Sequence, residues 1–351
     1  MSLMETILTA NALITSVLSI VPNLMIIFLA CTTKVAEIRQ YRWIIASQSA
    51  LEIAISTALA ILNMTLYDDY NSMLMFICGN GVRHSIPFSV AIFSIYCIML
   101  MLSIFTHPIA FLYRYAYICG KDRIKTLFTL RGTISTSIFF TALSVVFVFA
   151  LWQRTTIAVY DAIEFSQIEG TIVVISITYE NYRSPHGMAI DLICTMLFLL
   201  VVVAAYVTVF YCTEKIFKKL GTSDMHAKTK SVQRQLNFVM LLQATFPIFF
   251  TTLPIIMFFV CIGSDLQIGE VASVIIILLN WQPCAHPFIS MYFVAPFRKR
   301  ILRAVSCKST NIRGRLFSIT HHTSHHVPIV VVSAVNAKVT PSPSKHGLCN
   351  A

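Results

Sequence analysis

The chain of 351 residues is 57% hydrophobic and only 12% charged, with a mean hydropathy of +0.76 and a net charge of +11. Soluble domains carry about 25% charge, and a larger core cannot explain the shortfall because a globular surface still needs polar cover. An ordinary soluble protein is excluded, and lipid is the simplest solvent for this chain.

A bilayer core of roughly 30 Å needs about 20 apolar residues as a helix rising 1.5 Å per residue. Measured between flanking charges, such runs span 6–33, 43–67, 85–113, 132–153, 192–213, 235–264 and 271–297, the second interrupted only by Glu52. Strands of a membrane barrel would be shorter and alternating. The predicted fold class is therefore an all-α membrane protein, a seven-transmembrane helix bundle. Its helices cover about 7–31, 43–66, 86–112, 132–152, 188–212, 236–262 and 270–294, followed by a short amphipathic helix over 296–305. Residues 1–305 form the membrane domain and 306–351 a tail. The first run is too long for a signal-peptide core and lacks a basic leader, so it reads as helix 1 itself. Loop 153–187 holds nine β-prone residues, Thr171 to Tyr179, between Gly170 and Glu180. They predict a strand or hairpin over the bundle mouth. Loop 213–235 is basic, with Gly221 as a break between two helix extensions. After helix 7, Pro296 to Leu302 alternates basic with apolar groups, to lie flat on the inner leaflet with Cys307 positioned for palmitoylation. The distal tail, rich in Ser, Thr, His and Pro, reads as disordered.

Orientation follows from Lys and Arg, which stay on the cytoplasmic side. Loops 32–42, 113–131 and 213–235 and the tail from 298 hold 23 of the 26 basic residues, and the opposite loops hold 3. Asp68, Asp69, Asp161, Glu164, Glu169, Glu180 and Asp265 lie on the basic-poor side. The N-terminus is thus expected outside and the C-terminus in the cytoplasm. The positive charge is a topology signal and gives no support to nucleic-acid binding.

No catalytic signature, phosphate-binding glycine loop or HExxH motif is present, and no enzyme activity or cofactor is expected. Of the ten cysteines only Cys78 falls in an outer loop, and neither a disulfide framework nor metal-ligand spacing emerges. The paired histidines 321–322 and 325–326 lie in the Ser/Thr-rich tail and are not read as a metal site. Asn63-Met64-Thr65 fits a glycosylation sequon but sits at the lip of helix 2. The informative residues are the polar ones in the membrane. Glu52 lies ten residues past Arg42, about 15 Å into the bilayer. An acid there costs about 2.5–3.5 kcal/mol on insertion scales and should face a polar partner. Asn23, Gln282 and His286 are the candidates. A protonated structural hydrogen bond and a functional switch or ion site both remain open. Pro22, Pro108, Pro247, Pro254, Pro283 and Pro287 interrupt helices 1, 3, 6 and 7, removing backbone bonds and allowing kinks. Tyr113-Arg114-Tyr115 ends helix 3, where an interfacial aromatic belt with a snorkelling arginine is the plain reading.

The Y-R-Y-A-Y-I run from Tyr113 to Ile118 and the K-S-V-Q-R-Q-L-N run into helix 6 are distinctive. With Asn23 and the ending H-P-F-I-S-M-Y-F-V-A-P-F-R from His286 to Arg298, they resemble the nematode serpentine chemoreceptors, the superfamily that includes class delta. The resemblance covers about residues 10–305. It implies a G-protein-coupled receptor for small environmental chemicals, in the plasma membrane of sensory neurons or their cilia, with a heterotrimeric G protein as partner. Against the rhodopsin-like pattern, Arg114 takes the place of the arginine in D/E-R-Y while Tyr113 replaces the acid. His286-Pro287 takes the place of N-P in N-P-x-x-Y, and Glu52 occupies the acidic position of helix 2. These departures put the standard ionic latch, sodium site and loop disulfide in doubt.

On that reading, Phe93, Tyr96, Phe258 and Phe259, with Asp191 and Glu270 near the mouth, line a mostly apolar pocket for a small, weakly polar ligand. Asn23, Glu52, Gln282, His286 and Pro287 form a polar switch core. Tyr113, Arg114, Tyr115, Lys218, Lys219 and Arg234 face the G protein, and Arg114 has no adjacent carboxylate to restrain it. The alternatives are an odorant-gated channel, whose N-terminus would lie inside, and a small-solute transporter, which would carry more midplane charge.

Overall fold

In the computed structural model, the described residues are 3–69, 72–77, 79, 85–153, 155–161, 171–178, 185–222, 227–254, 256–257, 260 and 269–303. The chain divides into Met1–Ile301 and Leu302–Ala351; of the second unit only Leu302 and Arg303 are described. Cys307 and the rest of the tail therefore fall outside the described residues.

Seven long helices follow one another: α1 Leu3–Thr32, α2 Ala36–Leu62, α3 Ile86–Ile118, α4 Leu130–Trp152, α5 Pro185–Thr222, α6 Ala227–Pro247 and α7 Gly269–Phe293. A shorter α8 covers 295–303. Among the described residues six helices are long and apolar enough to cross a membrane. The seventh, α6, starts in a basic, polar stretch and runs through a π-helical turn, Ile248–Thr252, toward undescribed residues.

Several helix ends depart from the expected bounds: α5 runs on to Thr222 and α6 begins at Ala227. Helix 2 was expected to reach residue 66, but it stops at Leu62 because Asn63 adopts the left-handed conformation (φ 41°). Asparagine tolerates that region better than most residues. Its N–H closes on the Leu59 carbonyl at 2.8 Å and its side-chain amide donates to Thr9 Oγ1 at 3.0 Å. The asparagine of the sequon thus caps α2 and ties it to α1. Helix 3 continues six residues beyond its expected end and stops at Gly120 (φ 67°), where the Lys121 N–H returns to the Ala116 carbonyl. That is a Schellman closure, for which glycine carries no Cβ penalty.

A four-stranded antiparallel sheet accompanies the helices, in the order β1 (Met64–Asp69), β2 (Ser72–Ile77), β4 (Thr171–Thr178), β3 (Thr156–Asp161). The expected strand at 171–179 is β4. The β1–β2 hairpin was not foreseen and occupies residues assigned to the end of helix 2 and its loop. The register pairs Met64 with Ile77 and Ile77 with Val173. These three side chains are buried, and with Ile175 they join Leu8, Ile55, Leu62, Phe93, Tyr96 and Ile275 in one apolar cluster. The sheet is therefore part of the core at one end of the bundle. Two further clusters, one among α1, α2, α6, α7 and α8 and one among α3, α5 and α6, close the other end.

Candidate functional site

Glu52 on α2 is 3% exposed and sits between α3 and α7. Its carboxyl accepts from Ser103 Oγ at 3.3 Å and from the Gln282 amide at 3.3 Å to each oxygen. Of the three partners expected for it, the structure supplies Gln282 alone and adds Ser103. Asn23 has a different task. Pro287 has no N–H to give the carbonyl of Pro283 four residues back, and that carbonyl accepts from Asn23 Nδ2 and from Ser19 Oγ, both at 3.3 Å. A proline defect in α7 is thereby mended by α1. Next along α7, the Gln243 amide of α6 donates to the His286 carbonyl at 3.1 Å and to Ser290 Oγ at 2.7 Å. Both ring nitrogens of His286, and Nε2 of His107 on α3, are buried without a hydrogen-bond partner. Of the residues expected in a polar core, Gln282 bonds Glu52, Asn23 serves the Pro283 carbonyl instead, and the His286 ring has no hydrogen-bond partner.

Successive residues on a helix turn by about 100°, so Tyr113, Arg114 and Tyr115 fan out. Tyr113 packs edge-on against Tyr41 of α2 and donates its hydroxyl to the Gln40 carbonyl at 3.3 Å. Tyr115 faces Tyr211 of α5. Arg114 points inward and is 1% exposed, so it does not snorkel as the plain reading had it. One Nη donates to the Gln233 side-chain oxygen at 2.8 Å and to its carbonyl at 3.1 Å; the other meets Met240 Sδ at 3.2 Å. The guanidinium also lies 5.2 Å from the centre of the Tyr41 ring. Among the described residues no carboxylate pairs with Arg114. It is held by α6, through neutral groups. Beside it lies a cavity of about 30 Å³ lined by Tyr41, Gln48, Arg114, Gln243, His286 and Ser290 and otherwise by apolar side chains.

Lys218 and Lys219 on α5 and Arg234 on α6 are exposed, and Lys230 bridges the two helices by donating to the Gly221 carbonyl at 3.0 Å. Nearby, Arg300 of α8 bonds Thr32 Oγ1 of α1 at 2.8 Å, while Phe297 of α8 is buried in the adjoining cluster. The amphipathic helix is thus seated on the bundle as well as being basic. At the sheet end, Phe93 and Tyr96 are buried side by side under the sheet, with Trp152 of α4 against Phe93 and bonded to Ser94 at 2.8 Å. The Tyr96 hydroxyl is buried with no hydrogen-bond partner. Phe258 and Phe259 lie outside the described residues, as do the side chains of Asp191 and Glu270. Eighteen residues separate Tyr96 from Arg114, about 27 Å along α3.

Sequence reasoning missed Gln233, Met240, Tyr41, Ser103 and Gln243. Gln233 stands in the K-S-V-Q-R-Q run, so a signal was present. Without the α3–α6 packing nothing assigned it to Arg114. Residues 9–302 match the family described as serpentine type 7TM GPCR chemoreceptor Str. No curated protein matches the sequence significantly. Among solved structures, that of squid rhodopsin superposes with a TM-score of 0.55 at 13% identity, covering 86% of each chain.

Proposed function

The chain belongs to the Str family of serpentine 7TM GPCR chemoreceptors, a multi-pass protein of the plasma membrane, and from that premise we propose that it converts binding of a small environmental molecule into activation of a heterotrimeric G protein. In this reading residues 1–305 are the receptor domain, with the N-terminus and the sheet outside, and 306–351 are a cytoplasmic tail. The cilia of chemosensory neurons suit such a receptor.

The observation that carries the coupling step is the tie between Arg114 and Gln233, a buried contact joining α3 to the start of α6. Above it α6 passes through Pro247 and a π-helical turn, a place where a helix changes direction without breaking core packing. A ligand shifts an equilibrium only by its differential affinity for two arrangements. Here one arrangement has α6 against Arg114. In the other, α6 has swung away and the guanidinium is free to bond carbonyls at a G-protein helix end. Lys218, Lys219 and Arg234 flank that opening and favour an acidic partner surface. The ligand reading rests on Phe93 and Tyr96. An apolar lining with one buried, unpartnered hydroxyl favours a small molecule that is mostly apolar and carries a hydrogen-bonding group. Nucleotide exchange by a reconstituted G protein tests the scheme. Arg114→Ala should abolish stimulated exchange at matched surface level while leaving ligand binding intact, and normal exchange by this variant would refute it.

A further inference from the structure

An arginine stays charged at any accessible pH, and a charge taken out of water needs compensation worth several kcal/mol. Arg114 is almost wholly buried, yet every partner it has is neutral: the side chain and carbonyl of Gln233, the sulfur of Met240 and the ring of Tyr41. Glu52 cannot serve, because it is bonded to Ser103, eleven residues or about 16 Å up α3 from Arg114. Among the described residues the one ion pair joins Lys125 to Asp122. The Arg114 Nε–H is buried and unpartnered. The cavity that Arg114 lines also receives His286, with both ring nitrogens unpartnered, and Ser290, whose oxygen accepts from Gln243 so that its O–H is left to donate. No acidic residue lines it.

We propose that this cavity is a binding site for one small monovalent anion of halide size, which supplies the counterion that no side chain of the site provides. The cavity lining supplies the donors that such a site requires: the guanidinium Nε–H, an imidazole N–H of His286, the Ser290 hydroxyl and the Gln48 amide. About 30 Å³ holds one or two bodies the size of a water molecule, and a halide is little larger. Gluconate and phosphate esters are several times larger, and sulfate holds its water strongly. The remaining walls, Ala110, Val239 and Phe297 among them, are apolar, so a weakly hydrated ion is favoured over one that holds its water. Water alone would satisfy the free N–H groups but leave the charge uncompensated.

The test uses the full chain in nanodiscs of neutral lipid, with potassium chloride exchanged for potassium gluconate at constant ionic strength. Chloride and bromide should raise the thermal midpoint saturably, and gluconate and sulfate should not. Ser290→Ala should weaken the apparent halide affinity about tenfold or more, the loss of one hydrogen bond to a charged partner, and Arg114→Gln should abolish the effect. In bromide-soaked crystals an anomalous peak should lie within hydrogen-bond distance of Arg114, a readout that stands even if Arg114→Gln does not fold. Equal stability in chloride and gluconate, an effect unchanged by Ser290→Ala, or water alone at that position would each overturn the proposal. None of these readouts involves a G protein, so failure of the anion site and failure of the coupling scheme are told apart.

Discussion

Arg114 donates to the uncharged acceptors of Gln233 where rhodopsin-like sequences carry an acid beside the arginine. A hydrogen bond to a charged group contributes about 1.5–3 kcal/mol, enough to hold a two-state element on one side and little enough for a ligand to release it. Gln233→Leu keeps the bulk and removes the acceptor oxygen, though not the carbonyl that Arg114 also contacts. Basal nucleotide exchange should therefore rise severalfold without ligand, measured at matched surface level; an unchanged basal rate would mean that Arg114 is not restraining α6. Glu52→Gln belongs to the same scale. It keeps the shape and the reach to Ser103 and Gln282 while removing any charge. It should shift the ratio of basal to maximal signalling and leave the ranking of agonists alone, which a dose–response series would read directly.

At the scale of elements, the gap that Pro287 leaves in α7 is filled by donors on α1. Asn23 and Ser19 bond the Pro283 carbonyl that Pro287 leaves open, and in α6 a π-helical turn follows Pro247. Interhelical hydrogen bonds in membranes average about 0.6 kcal/mol and reach about 1.7. Asn23→Ala should therefore destabilise the wild-type bundle by an amount in that range, but by less in a Pro287→Ala background, where the restored N–H satisfies Pro283 from within α7. A double-mutant cycle on thermal midpoints measures the coupling, and strict additivity would contradict the pairing.

For the whole molecule the central question is which end faces the outside. In the sequence, basic residues gather in the loops on the Arg114 side and acidic ones in the opposite loops, and the bilayer orients proteins by that asymmetry. Glycosylation or protease tags should report the N-terminus and residues 153–187 outside, with residues 213–235 and the tail inside. A cytoplasmic N-terminus would remove both the orientation and the coupling scheme.

The seven helices were legible in the sequence because the membrane imposes one simple rule: about 20 apolar residues between charges, with backbone groups satisfied within the segment. The polar positions Asn23, Glu52, Gln282 and His286 were legible for the same reason, since each stands out against an apolar run. Their pairing was legible only in that Gln282 stood among the candidates for Glu52. Glu52 found Ser103 rather than Asn23, and Arg114 found Gln233 rather than solvent, because rotation and depth of one helix against another depend on side-chain packing that no single run encodes. The β1–β2 hairpin was hidden too, as Met64 to Ile77 carries the composition of a helix end. It becomes a sheet only because β4, more than ninety residues on, offers its edge and the bundle offers an apolar floor. Local hydropathy determined what crosses the membrane, and tertiary contact alone decided which buried polar groups face one another.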